Sequence, residues 1–130
     1  MKVAICDDKE IYLKHAYDML QTIDDIEAVA GFTKASDLLK RIEAGEKYDL
    51  ILMDIQMPRM DGLKATSKIR TSAHADAAVV PVVAMSAYAF TEDIEKSRQA
   101  GMDEYITKPI NIVELCKLLN HLIALHAKGA

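Results

Sequence analysis

"DLILMDIQMPRMDG", residues 49–62, runs four apolar side chains, Leu50 to Met53, straight into the carboxylate of Asp54 and then into a loop rich in Met, Pro and Gly. An unbroken apolar run bounded by polar and turn-forming residues reads as a strand covered on both faces, because a strand with one wet face alternates. Such a strand is a stiff platform, and this one ends by presenting an acid. "VAIC" before Asp7-Asp8 and "PVVAM" before Ser86 repeat the pattern.

Outward from these runs, amphipathic stretches of helical length alternate with apolar ones, the pattern of a parallel α/β sheet. Strands are expected at Lys2–Cys6, Ile26–Phe32, Tyr48–Met53, Val80–Met85 and Glu104–Thr107. Helices are expected at about Lys9–Thr22, Lys34–Ala44, Leu63–Thr71, Glu92–Ala100 and Ile112–His126. The second strand, "IEAVAGF", mixes in a Glu, and the fifth, "EYIT", is short and half polar, so both belong at edges. The other strands release Asp7-Asp8, Asp54, Ser86 and Lys108-Pro109 at their carboxyl ends, whereas the second offers only Gly31-Phe32-Thr33. In open α/β sheets the site lies beyond those ends, where strand order reverses. The expected fold is therefore a five-stranded parallel sheet of order 2-1-3-4-5, with right-handed crossovers and five helices on both faces, doubly wound and flavodoxin-like.

Composition narrows the function. The chain has 130 residues, 51% of them apolar and 28% charged, which suits one packed domain, expected at 1–126 with a small polar tail at 127–130 and no output domain after it. Net charge is −4 and no basic stripe exists, so direct nucleic-acid binding is not expected. Cys6 and Cys116 lie far apart in apolar segments and read as core thiols of a reducing, cytoplasmic protein. The longest apolar run, Ala77 to Met85, is broken by Pro81 and falls short of the roughly 20 residues of a membrane span. The apolar part of the N-terminus is too brief for a secretory signal.

Carboxylates converging on one crevice repel each other unless a cation relieves them. Hard oxygen donors in that number call for a hard divalent ion, Mg²⁺ first, and the chain has no His/Cys spacing for a softer metal. Lys108 could hold an anionic oxygen, and the Ser86 hydroxyl could donate to another. Cation, lysine and hydroxyl around a carboxylate describe a phosphoryl site in which that carboxylate can attack phosphorus and form an acyl phosphate.

"CDD" at Asp7-Asp8, "LILMDIQMPRMDG" around Asp54, "AMSAY" at Ser86 and "GMDEYITKP" with Tyr105, Lys108 and Pro109 stand in order at the ends of the expected strands. With these motifs the chain resembles, over essentially its whole length, a response regulator receiver domain of two-component signalling, of the kind found on hybrid sensor kinases or standing alone. The resemblance implies Asp54 as phosphoacceptor, and Asp7 and Asp8 as the acidic pair for Mg²⁺ with the backbone carbonyl of Gln56 as a further ligand. It implies Ser86 and Lys108 as contacts to phosphoryl oxygens, Tyr105 as an aromatic switch, and a cis peptide between Lys108 and Pro109. The implied function is a switch rather than an enzyme: a phosphohistidine on a histidine kinase or phosphotransfer protein supplies the phosphoryl group, and slow self-hydrolysis removes it. Gln56 and Tyr88, two positions after Asp54 and Ser86, are expected to line the approach of water.

Plainer readings exist for each residue. Asp7 or Asp8 could cap a helix, Asp54 could open a turn before Pro58, Lys108 could be solvated, and Tyr105 could be an ordinary edge-strand aromatic. Two other functions share the topology. A haloacid-dehalogenase-type phosphatase looks for a second acid two residues after the nucleophile, where this chain has Gln56. A flavodoxin-like cofactor binder would cradle phosphate in its first loop, where "CDDKE" repels it. His15, His74, His121 and His126 read as surface residues, and Met53, Met57 and Met60 as packing. The fourth expected helix, "TEDIEKSRQA", has little apolar surface beyond Ile94 and Ala100 and should be weakly anchored. The fifth carries Ile112, Leu115, Leu119 and Leu122 in one stripe, with Leu118, Ile123 and Leu125 beside it, wide enough to expect a partner or a second copy there.

Overall fold

The computed structural model describes residues 1–56, 61–87 and 91–129, the side chains at 123 and 125–129 excepted. Five strands, β1 (Lys2–Cys6), β2 (Ala28–Phe32), β3 (Leu50–Asp54), β4 (Val82–Ser86) and β5 (Glu104–Thr107), form one parallel sheet of order β2-β1-β3-β4-β5. The helices are α1 (Glu10–Gln21), α2 (Ala35–Glu43), α3 (Gly62–Arg70), α4 (Ala75–Val79), α5 (Thr91–Gln99) and α6 (Ile112–Gly129).

The expected order and the edge positions of β2 and β5 stand. All of β3 and β4 is buried, as a doubly covered strand requires. Alternation sorts their side chains. Cys6, Ile51, Met53, Val82 and Ala84 pack with Leu38 and Ile42 of α2 and Ala65 and Ile69 of α3. Val3, Ile5, Leu50, Leu52, Val83 and Met85 pack on the other face with Ala16 and Leu20 of α1 and Leu115, Leu119 and Leu122 of α6.

The structure departs from expectation in several places. A sixth helix, α4, opens the stretch read as part of an apolar run; at five residues it is too short to show periodicity, and it holds on through buried Ala77 and the His74 ring, 2.9 Å from the Glu43 carbonyl. Its last turn, Val80 N–H to the Asp76 carbonyl, delays β4 from Val80 to Val82. β2 starts at Ala28 because a turn, Ile26 N–H to the Ile23 carbonyl, consumes the residues before it. β3 begins at Leu50 and includes Asp54, and β4 includes Ser86, so both polar residues are strand residues. α6 continues to Gly129, past the expected end at His126.

Cys6 is buried but Cys116 only partly so, and His74 is half-buried rather than on the surface. Within α5 Ser97 alone is fully buried, in keeping with weak anchoring. On α6, Leu118 packs against the core, so the stripe is less surplus than its width suggested; the side chains of Ile123, Leu125 and His126 lie outside the described residues. So do Met57, Pro58, Met60 and Tyr88.

Candidate functional site

Register builds the site. Cys6 pairs with Met53, so the next residue of each chain, Asp7 and Asp54, stand level across adjacent strands. Asp54 in turn pairs with Met85, and Met85 with Ile106, two residues before Lys108. Parity puts all of them on one face: Ile5, Leu52 and Ile106 belong to the α1/α6 layer, and Asp7, Asp54 and Lys108 each lie two residues further on. Tyr105 belongs to the α2/α3 layer, which is also the side that alternation assigns to Ser86. Ser86 is fully buried, Tyr105 is half-buried, and the Lys108–Pro109 peptide is cis.

The contacts are short. Lys108 Nζ lies 2.5 Å from Asp7 Oδ2 and 3.2 Å from Asp54 Oδ2, with the lysine side chain only 5% exposed. Asp7 Oδ1 accepts the Lys9 amide and Asp54 Oδ1 the Gln56 amide, both at 3.0 Å. Each carboxylate thus spends one oxygen on the backbone of its own loop and turns the other to the ammonium. Burial pushes the Asp54 carboxyl up to about 6, with the Asp7 charge adding to it while the Gln56 amide and Lys108 pull it back. Beneath them, burial and the neighbouring aspartates push the Cys6 thiol up to about 12, so it stays protonated and inert at neutral pH.

One oxygen from each of Asp7, Asp8 and Asp54 can be found within 4.8 Å of the others. Lys108 offers a single positive charge against three negative ones. Asp8 Oδ1 is buried and accepts no hydrogen bond among the described residues. A buried carboxylate oxygen left without a donor, beside two more acids, fits a small hard cation such as Mg²⁺.

Two contributors escaped the sequence reading. Tyr12, on α1, lays its ring under Lys108 Nζ, 4.6 Å from the ring centroid; nothing in the residue pattern marks it. Gly62 opens α3 so close to Asp54 that a Cβ there would meet the Asp54 carbonyl. Its "DG" reads as a loop signal, although Asp61 in fact caps α3 by accepting the Lys64 amide at 2.8 Å.

Fold and site define a doubly wound α/β domain with three acids and a lysine gathered at the carboxyl edge of its sheet. The chain belongs to the response regulator receiver domain family, which it matches over residues 3–120. It is 36% identical over 122 residues to hybrid signal transduction histidine kinase L of Dictyostelium discoideum, covering 91% of this chain and 7% of that protein. It is 31% identical over 127 residues to the osmosensing histidine protein kinase SLN1 of Saccharomyces cerevisiae, covering 95% of this chain and 10% of that protein. The chain therefore spans about a tenth or less of these curated relatives. Among solved structures it is similar to the receiver domain of a sensor histidine kinase from Pseudomonas aeruginosa PAO1, with a TM-score of 0.83, 29% identity, and 95% of this chain and 97% of that one covered. That structure holds a magnesium ion in its active site cleft. The chain is thus a receiver domain of two-component signalling, a family of phosphoacceptor switches. Among the described residues no helix is long and apolar enough to cross a membrane.

Proposed function

We propose that this receiver takes a phosphoryl group onto Asp54 from a phosphohistidine of a histidine kinase or phosphotransfer protein, and loses it slowly to water. The observation that carries the reading is a buried strand-end carboxylate held level with a second acid, with one ammonium touching both. In the forward step Asp54 Oδ2, the oxygen facing Lys108, attacks phosphorus. The new O–P bond replaces the P–N bond, and the imidazole leaves with the electron pair. Lys108 then pairs with a phosphoryl oxygen instead of the carboxylate, and the Ser86 hydroxyl donates to another. Asp7, Asp8, Asp54 and the Gln56 carbonyl would hold Mg²⁺, which when bound supplies positive charge to the transferring phosphoryl oxygens. In the discharging step water attacks phosphorus and the Asp54 O–P bond breaks, releasing inorganic phosphate and restoring the carboxylate. Ser86 and Tyr105 share a layer, so the reading takes a shift of Ser86 toward the phosphoryl group as what frees Tyr105 to turn inward.

The test is an intact-mass spectrum after incubation with acetyl phosphate, with and without Mg²⁺, for wild type and Asp54→Asn. One labile phosphoryl adduct that needs Mg²⁺ and is absent from the variant is expected. A wild-type protein that stays unmodified in every condition sinks the reading.

Donor docking has a surface to use. Ile11 in the first turn of α1 is 76% exposed, and Val113 in the first turn of α6 is 57% exposed, both just beyond strand ends that carry the site. Apolar side chains exposed around a reactive group suit a protein donor. Val113→Glu is expected to slow transfer from a phosphohistidine protein about tenfold more than it slows uptake from acetyl phosphate, the size of an ordinary contributing interface residue. Equal slowing with both donors would remove this surface from the account.

A further inference from the structure

We propose that Tyr12 is a positioning residue for Lys108, its ring face holding the ammonium at the phosphoryl site; the inference rests on the phosphoacceptor reading above.

Lysine is a poor choice for fixed placement, because its four-carbon stem has many rotamers and its ammonium is strongly hydrated. Lys108 is nevertheless almost wholly buried and touches Asp7 and Asp54 at once. Besides the two carboxylates, the ring of Tyr12 meets the ammonium, its centroid 4.6 Å from Nζ and within cation–π range, at a lysine side chain only 5% exposed, where such contacts are strongest. The exposed Lys9 Nζ reaches the same ring from 6.0 Å, a marginal distance, so Lys108 is the principal cation.

The backbone that carries the ring is tied down. Tyr12 and Leu13 both donate their amides to the Lys9 carbonyl, and the Lys9 amide is tied to Asp7, so α1 starts from the site. One turn further along the same helix face, His15 Nε2 lies 3.3 Å from the Ile110 carbonyl. α1 therefore grips the segment that follows β5 at two points, and Tyr12 is the one on the reactive lysine.

A ring face is suited to this work because it does not change with the chemistry. When Asp54 exchanges its carboxylate charge for a phosphoryl group, the anion facing Lys108 moves outward and changes identity. A further side-chain acid in place of the ring, added to Asp7, would hold the lysine back more strongly and repel the phosphoryl group. The π face does neither: it attracts the ammonium without adding a formal negative charge, and leaves it free to follow the anion by a small swing.

The test uses beryllofluoride with Mg²⁺, as a phosphoryl stand-in, and carbon–proton NMR of the lysine side chains. The Lys108 ε-methylene signal, identified by its loss in Lys108→Ala, is expected upfield of ordinary lysines in wild type and Tyr12→Phe through the ring current, and at the ordinary position in Tyr12→Leu. Beryllofluoride should bind wild type and Tyr12→Phe within twofold of each other and Tyr12→Leu about tenfold more weakly. In a Lys108→Ala background the Tyr12→Leu change should have no further effect. An ordinary Lys108 shift in wild type, wild-type affinity in Tyr12→Leu, or an undiminished loss in the Lys108→Ala background each overturns the proposal. If the ring-current shift is present but wild type refuses beryllofluoride, the phosphoacceptor reading fails, and Tyr12's proposed role falls with it.

Discussion

Lys108→Ala is expected to lose about 3 kcal/mol of stability at pH 7.5 in a chelator, the scale for a buried charge pair broken from one side. Lys108 stands between Asp7 and Asp54, which are 1% and 2% exposed. Without it two carboxylates face each other with no cation between them. The pH dependence has a definite sign. Burial already places the folded Asp54 carboxyl at about 6, above the ordinary value of 3.8. Between those values the unfolded chain has released the proton and the folded chain still holds it, so the Asp54 contribution to stability is full below pH 3.8 and is lost as pH rises through 6. Removing Lys108 raises the Asp54 carboxyl further, so the deficit of the variant should shrink toward pH 5, where protonation relieves the repulsion, and should shrink again in Mg²⁺. Asp54→Asn should behave oppositely. At about 1.4 kcal/mol per pKa unit, the rise from 3.8 to about 6 gives a gain on the order of 3 kcal/mol over wild type at pH 7.5 in chelator and little at pH 4. Urea titrations at three pH values, with EDTA and with Mg²⁺, measure all of this. A Lys108→Ala protein as stable as wild type at pH 7.5, or a deficit that grows on acidification, would show that the ammonium does not carry the charge balance assigned to it.

This balance explains what could be read from the sequence and what could not. The unbroken apolar runs of β1, β3 and β4 declared their double burial, and the acids, serine and lysine at their ends declared the sheet order, because polar groups at a buried strand's end have few uses other than a site. Parity did the rest without being visible as a motif: Asp7, Asp54 and Lys108 meet because each lies two residues beyond a side chain of the α1/α6 layer. What stayed hidden was short or tertiary. α4 is held by one buried alanine, a histidine that reaches a different helix and the Arg70 guanidinium that donates to the Ala77 carbonyl, none of which leaves a periodic trace. Tyr12 meets Lys108 across 96 positions of sequence, a distance over which no local pattern operates. Gly62 looked like turn punctuation, yet its conformation is ordinary; its lack of a side chain is used for distance, not for dihedral freedom.

That distinction makes Gly62→Ala the second large effect. Glycine to alanine at a helix's first turn usually stabilises by a few tenths of a kcal/mol to about 1 kcal/mol, since the unfolded chain loses freedom. Gly62 should reverse the sign and cost about 3 kcal/mol, the upper range for overpacking. Its φ is not positive, so no backbone strain is involved. The new Cβ would collide with the Asp54 carbonyl oxygen, and would sit 2.8 Å from Met53 Cγ and 2.9 Å from the Asp54 carbonyl carbon. Met53 is fully buried in the core, and the Asp54 backbone is fixed in the middle strand of the sheet with β1 and β4 on either side, so neither can give way cheaply. α3 has to retreat instead, carrying the Asp61 cap and the Thr66 hydroxyl that donates to the Gly62 carbonyl at 2.7 Å. Because the collision falls on Asp54, the proposed phosphoacceptor, phosphoryl uptake from acetyl phosphate should fall along with stability, by about tenfold for a displacement of a fraction of an ångström. Gly31→Ala is the control. A Cβ there meets only Leu13, at 3.4 Å, on an edge strand, so that variant should fold within about 1 kcal/mol of wild type and take up phosphoryl groups normally. Denaturant titration and intact-mass kinetics on the two variants separate the cases. Were Gly62→Ala to match Gly31→Ala in both, α3 would be free to move away from Asp54, and the rigid support assigned to the end of β3 would have to come from the strands alone.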